Sequence, residues 1–369
     1  MRIGIVATHS WPIPTPVHTG DVVILDLAIA LTELGHEVVM FSPAGTKAPG
    51  KLCEMPASLG ASTPTAWECE VAAWNAHRND LLRCDIIHDF SCEKNIAERT
   101  MAEDRPAIST LLGGNYNRPE NGRNVCVWSN AMRERALHGY TDYWNTPTPD
   151  LAGPATRPLT DAHVVYGGVD TDFYCPSDYS KDDYFLWMNR WHPAKGYKQA
   201  IQLAKDTGIQ LLMAGQFPDD MRWDSEKASA WEAVALAGNC RNITFQWLPA
   251  GMVEHHEAKR ELYRRARALL YPVQFQEPFG LSMVEAMACG TPVIGNDFGS
   301  VREVAGRTGF ACVANFPAAW RESTLHHTAC TTPQSCRADA VERFSRKAMA
   351  DRYLNEYEAV IAGNGWGGR

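Results

Sequence analysis

Two glutamates, Glu277 and Glu285, stand on either side of a Phe-Gly turn in the stretch EPFGLSMVEAMACGTPV. Glu285 has a ready structural reading, because Ser282-Met-Val-Glu285 fits a capping box in which Ser282 caps a helix and Glu285 reaches back to it. Glu277 has no evident helix to cap, so it is set to accept hydrogen bonds from something else. The backbone amides of Phe279, Gly280 and Leu281, at the start of the same helix, favour an anion or a hydroxyl-rich ligand. Two carboxylates flanking such amides suit a nucleotide sugar, one for the sugar hydroxyls and one for the ribose. A second group, MNRWHPAKG, places Arg190 and Lys195 just after the strand pattern YFLWMN. Solvated surface cations are the ordinary fate of Arg and Lys. Here Gly196 and the apolar helix behind it hold the loop, and the two cations suit a diphosphate leaving group neutralised without a metal.

These residues need a scaffold that brings strand ends together. MRIGIVA reads as a buried strand, DVVILDLAIALTELGHEV as an apolar helix ending at Gly35 followed by a strand through Met40 and Phe41, a βαβ opening. CDIIHDF and NVCVWS continue a parallel sheet covered by helices. The Pro-, Thr- and Ala-rich stretch at 145–163 reads as a linker. Beyond it the pattern restarts. HVVYGGV, YFLWMNR, IQLLMAG, ITFQWLP, ARALLYPV and TPVIGND are strand candidates; YKQAIQLAKDT, HHEAKRELYRRA and SMVEAMAC are helix candidates. The expectation is an α/β protein of two Rossmann-like, doubly wound domains, 1–160 and 161–340, facing a central cleft, with an amphipathic helix at 341–369 packing back on the body.

A chain of 369 residues, 45% apolar and 21% charged, buries enough surface for two domains. With no run of about eighteen apolar residues and no leader pattern after Met1, the expectation is a soluble cytoplasmic protein. A net charge of −8 argues against a general nucleic-acid or anionic-membrane binder. The eleven cysteines are scattered and form no C-x-x-C pair, which suits reduced thiols. The densest group, His326, His327, Cys330 and Cys336, misses the usual zinc spacings, so no metal site is expected there.

Together these residues resemble glycosyltransferase family 4, the retaining GT-B enzymes. Glu277 and Glu285 match its E-x7-E motif, and EAMACGTPVIGNDFGSVREV is similar to the usual continuation. VVYGGVDTDFYCP, WMNRWHPAKG and RRARALLYP resemble the family's segments entering the second domain, at the Arg/Lys motif and before the first glutamate. The resemblance implies that Glu277 binds the donor sugar, Glu285 the ribose, and Arg190 with Lys195 the diphosphate. It also implies a sugar contact for His88, in DIIHDFS, and a phosphate-facing turn at Gly20. It lapses at His18-Thr19-Gly20-Asp21 and Leu111-Leu112-Gly113-Gly114, which leaves the acceptor open. The implied activity is metal-independent, retaining transfer from a nucleoside diphosphate sugar to a hydroxyl, with no cofactor. The alternatives are a GT-B sugar-nucleotide epimerase, which needs no acceptor, and a non-catalytic nucleotide-sugar-binding protein.

Overall fold

The computed structural model describes residues 1–14, 19–58, 64–113, 120–138, 158–178, 180–218, 221, 224–249, 252–312 and 332–368. They form two compact units, one from the described residues up to Gly168 together with those from Arg346 on, the other from those of Val169–Ser345. Most of the expected linker, and His326, His327 and Cys330, lie outside the described residues.

In the first unit, strands β1 (Arg2–Val6), β2 (Glu37–Pro43), β3 (Lys51–Met55), β4 (Ile86–Asp89), β5 (Ala107–Leu111), β6 (Val125–Val127) and β7 (His163–Val164) pair in parallel in the order 3-2-1-4-5-6-7. Helices α1 (Thr19–Glu33), α2 (Ala66–Leu82), α3 (Asn95–Ala102) and α4 (Asn130–His138) complete the crossovers. β4 and β5 are buried along their whole length and β1 in all but Arg2, as a parallel sheet covered on both faces requires.

In the second unit, β8 (Phe185–Met188), β9 (Leu211–Gln216), β10 (Ile243–Leu248), β11 (Ala268–Tyr271), β12 (Val293–Asn296) and β13 (Phe310–Cys312) pair in parallel in the order 10-9-8-11-12-13. Around them run α5 (Tyr197–Thr207), α6 (Asp224–Ala237), α7 (Met252–Arg265), α8 (Leu281–Ala288), α9 (Val301–Ala305) and α10 (Pro333–Phe344). The core beneath α5 and α6 is aromatic and aliphatic, with Trp187, Trp191, Tyr197, Leu211 and Met213 all buried. In each sheet the strand order reverses once, between β1 and β4 and between β8 and β11. Such a reversal parts two neighbouring loops at the strand carboxyl ends and leaves a crevice there.

The final amphipathic segment is two helices. Backbone at Ser345 turns extended (φ −64°, ψ 153°) after α10, and α11 (Arg346–Ile361) belongs to the first unit, where it packs on α1. Among the described residues no helix is long and apolar enough to cross a membrane.

Candidate functional site

Both chemical motifs of the second unit fall at its point of strand reversal. β8 ends at Met188 and leads into Arg190 and a 3-10 turn, Pro193–Lys195; β11 ends at Tyr271 and leads through Pro272 to Glu277 and Gly280. The two loops are fastened to each other. Gln274 N donates across to Ala194 O (2.7 Å), while within the first loop's own segment Trp187 Nε1 donates to Lys195 O (3.1 Å). Gly196, at φ +76°, lies so close that an added Cβ would sit 1.9 Å from Pro272 O. Only glycine fits both that backbone and that approach.

This fastening brings Lys195 onto Glu277. Lys195 Nζ lies 2.8 Å from Glu277 Oε2, with the two side chains 12% and 7% exposed, so the pair is nearly withdrawn from water. Tyr271 donates its hydroxyl to the same oxygen at 2.6 Å, and the ammonium also stands 4.5 Å from the centre of the Phe275 ring. Burial, reinforced by the Glu277 charge, pushes the Tyr271 hydroxyl well above its ordinary range and keeps it a donor. Ser300 N holds the Glu277 carbonyl at 2.8 Å.

Glu285 has the same kind of company. Lys259 Nζ lies 2.8 Å from its carboxylate and the Tyr263 hydroxyl donates at 3.0 Å, both from α7, one turn apart and therefore on one helix face. Glu285 is 2% exposed. The expected capping box is absent. Gly280, in the left-handed conformation (φ 82°), takes the N-cap position, so Ser282 falls inside the helix and Glu285 too far along it to reach back. Phe279 is buried edge-to-face against Phe344, Leu281 opens α8, and Met283 N donates to Gly280 O.

Arg190 is held from another side. Its Nε donates to Glu226 Oε1 at 2.8 Å, and its Nη2 reaches the same oxygen. Glu226 is in the first turn of α6 and almost buried, while the Arg190 side chain remains 48% exposed. Beside it, burial and then the Arg190 charge lower the pKa of His192, which caps the turn that carries Lys195.

His88 and Gly20 lie in the first unit. His88, on β4, is fully buried; Nδ1 is 2.7 Å from the Tyr357 hydroxyl and Nε2 2.7 Å from the Thr110 hydroxyl. Burial lowers its pKa well below the ordinary histidine value. Gly20 is in the first turn of α1, and next to it Asp21 accepts from the Thr8 hydroxyl at 2.6 Å.

Sequence reasoning found the glutamates and cations but missed Tyr271, Tyr263, Lys259 and Glu226. A signal existed for the pair on α7, whose i,i+4 spacing puts Lys259 and Tyr263 on one face. A tyrosine at the end of the otherwise aliphatic ALLY strand was the corresponding sign for Tyr271.

Residues 176–324 match the family described as glycosyl transferases group 1. The alpha-maltose-1-phosphate synthase of Mycolicibacterium smegmatis is 27% identical over 230 residues, 56% of this chain and 54% of that protein. The chain thus spans about half the length of that relative. Among solved structures, AviGT4, a glycosyltransferase involved in avilamycin A biosynthesis, superimposes with a TM-score of 0.71 at 22% identity, covering 99% of each chain. HepE of Anabaena, solved in complex with UDP and glucose, gives 0.66 at 15% identity, covering 97% of this chain and 100% of HepE. At these identities the structural likeness is one of fold, the GT-B fold of paired parallel α/β sheets. The match to the glycosyl transferases group 1 family is confined to residues 176–324, less than half of the chain, and that segment holds every paired residue of the second-unit site.

Proposed function

We propose that this chain is a retaining glycosyltransferase that moves a sugar from a nucleoside diphosphate sugar to an acceptor hydroxyl, without a metal ion on the diphosphate. The observation that carries the reading is the buried Lys195–Glu277 pair with Tyr271, fixed by two interlocked loops at the strand reversal of the unit. Both bonds to the Glu277 carboxylate end on Oε2, which orients Oε1 toward the hydroxyls of a donor sugar. Glu285 is the partner of the donor ribose, and the amides around Gly280 and Leu281 receive the diphosphate. That HepE is solved with UDP and glucose supports a donor of this class.

Arg190 and Lys195 supply fixed positive charge where a leaving diphosphate becomes more negative, the part a divalent ion plays in other sugar-nucleotide enzymes. The acceptor hydroxyl attacks from the face the diphosphate leaves, and a diphosphate oxygen takes its proton as the glycosidic bond to the donor breaks. No protein nucleophile enters. Both ring nitrogens of His88 pair within the first unit, with the Tyr357 and Thr110 hydroxyls.

The test is stereochemical. With an α-linked donor chosen by thermal shift against a nucleotide-sugar panel, the anomeric proton of the product should report an α linkage. A β linkage overturns the mechanism. Initial rates unchanged by EDTA are expected; loss of activity restored by magnesium or manganese refutes the metal-independent step. Turnover of the donor to an epimer without acceptor favours an epimerase.

A further inference from the structure

We propose that the outer edge of the first sheet carries a binding site for a borderline divalent cation of the zinc class, with Cys53, His77 and Asp80 as its protein ligands. Cys53 lies on β3, the edge strand, while His77 and Asp80 are one turn apart on α2, which packs against that strand. One ligand atom from each residue lies within 4.8 Å of the other two.

The surroundings orient these atoms as an outer shell orients metal ligands. Asp80 divides its oxygens: Oδ1 accepts from Lys51 Nζ at 2.7 Å, and Oδ2 faces Cys53 Sγ at 3.9 Å. His77 Nε2 stands 2.7 Å from the carbonyl of Glu54. A carbonyl only accepts, so Nε2 carries the proton and Nδ1 keeps its lone pair. A ring nitrogen held by a backbone carbonyl and a carboxylate held by a second hydrogen bond are the usual outer partners of metal-binding His and Asp.

The donor set selects the ion. One sulfur, one imidazole nitrogen and one carboxylate oxygen match zinc and its borderline neighbours, whereas magnesium and calcium demand mostly oxygen. Three protein ligands leave a fourth, tetrahedral position for water. Bond lengths of about 2.0 to 2.3 Å to zinc require the three atoms to close in by roughly 1 Å, within the reach of side-chain rotation. On binding, the Cys53 S–H bond breaks, the thiolate sulfur bonds the ion and the proton goes to solvent. Because binding releases this proton, affinity should rise with pH. The ion would join an edge strand to the helix beside it, and none of its three ligands is among the residues assigned to the donor.

The probe is cobalt(II) titrated into the tag-free, reduced full-length chain, followed by zinc competition against a chromophoric chelator. Expected are one equivalent of cobalt with a thiolate-to-metal charge-transfer band in the near ultraviolet, loss of that band in Cys53→Ser, and zinc binding weaker by tenfold or more in His77→Gln. Lys51→Met, which removes only an outer partner, should retain the band. Zinc should raise the melting temperature of the wild type and of neither ligand variant, leaving the initial rate of transfer unaltered. Absence of the band in the wild type, its survival in Cys53→Ser, or wild-type zinc affinity in His77→Gln overturns the site. His77 is only half-buried, so its variant keeps the test decisive should Cys53→Ser not fold.

Discussion

Removing the charge of Lys195 while keeping its bulk, as in Lys195→Met, would leave Glu277 buried with Tyr271 as its remaining side-chain donor. Stranding one member of a buried pair costs about 3–5 kcal/mol. The retained tyrosine and the slight exposure of the lysine side bring the expectation here to about 2–3 kcal/mol. Glu277→Gln keeps an acceptor for Tyr271 but strands the ammonium, which still has the Phe275 ring; about 2 kcal/mol is expected. The double variant strands nothing and should lose only about 1–2 kcal/mol, so the coupling between the sites is about 3 kcal/mol. Because two units melt in one chain, a global transition is a poor measure. Hydrogen exchange of peptides covering β8 and β11 reads the local opening energy instead. The double variant should therefore be no less stable than either single variant and yet inactive in transfer. Additivity of the single variants within about 0.5 kcal/mol, or wild-type transfer by the double variant, would refute the reasoning.

Gly196→Ala, whose Cβ would meet Pro272 O at 1.9 Å on a φ of +76°, should part the two loops. At least about 1–2 kcal/mol of stability and most of the transfer rate should be lost, measured by exchange and by steady-state kinetics. Tyr263→Phe should cost about 1–3 kcal/mol by leaving Glu285 one donor short, and calorimetry should find donor binding weakened. For His88, burial depresses the folded pKa, so the unfolded chain binds the proton first. The histidine's contribution is complete above about pH 6.5 and is lost as the pH falls below it, by up to about 1.4 kcal/mol per pH unit. Urea midpoints of the first unit between pH 7.5 and 5 should show that slope, and His88→Leu should flatten it on a lower plateau.

Local chemistry was legible in the sequence where backbone rules decide the outcome. YKQAIQLAKDT is α5 to the residue, because Gly196 and Gly208 on either side both adopt left-handed backbone that ends a helix. Elements decided by distant contacts were not. α6 was missed: its DSEKASAWEAVALA sequence lacks a strong apolar stripe, and alanines suffice against the crowded aromatic core. The C-terminal segment reads as one helix since neither Pro nor Gly marks Ser345. Its break arises because α10 packs on α8 while α11 packs on α1, a conflict of destinations that no local residue type records.

The same limit applies at the site, and it explains what the sequence left out. Glu277 and Lys195 were each assigned to a ligand, but they are 82 positions apart and their contact with each other follows only from the β8–β11 reversal. A carboxylate kept this dry needs a countercharge to remain ionised and a directional donor to remain oriented. Lysine supplies the first with a flexible point charge, and a tyrosine whose hydroxyl burial holds protonated supplies the second. Glu285 repeats the solution with Lys259 and Tyr263, whose hydroxyl is likewise kept protonated by burial. In both places the cost of burying charge is met in the folded protein before any ligand arrives. An acceptor oxygen held in this way does not have to reorganise as donor charge shifts, which is the condition under which a fixed carboxylate aids transfer most.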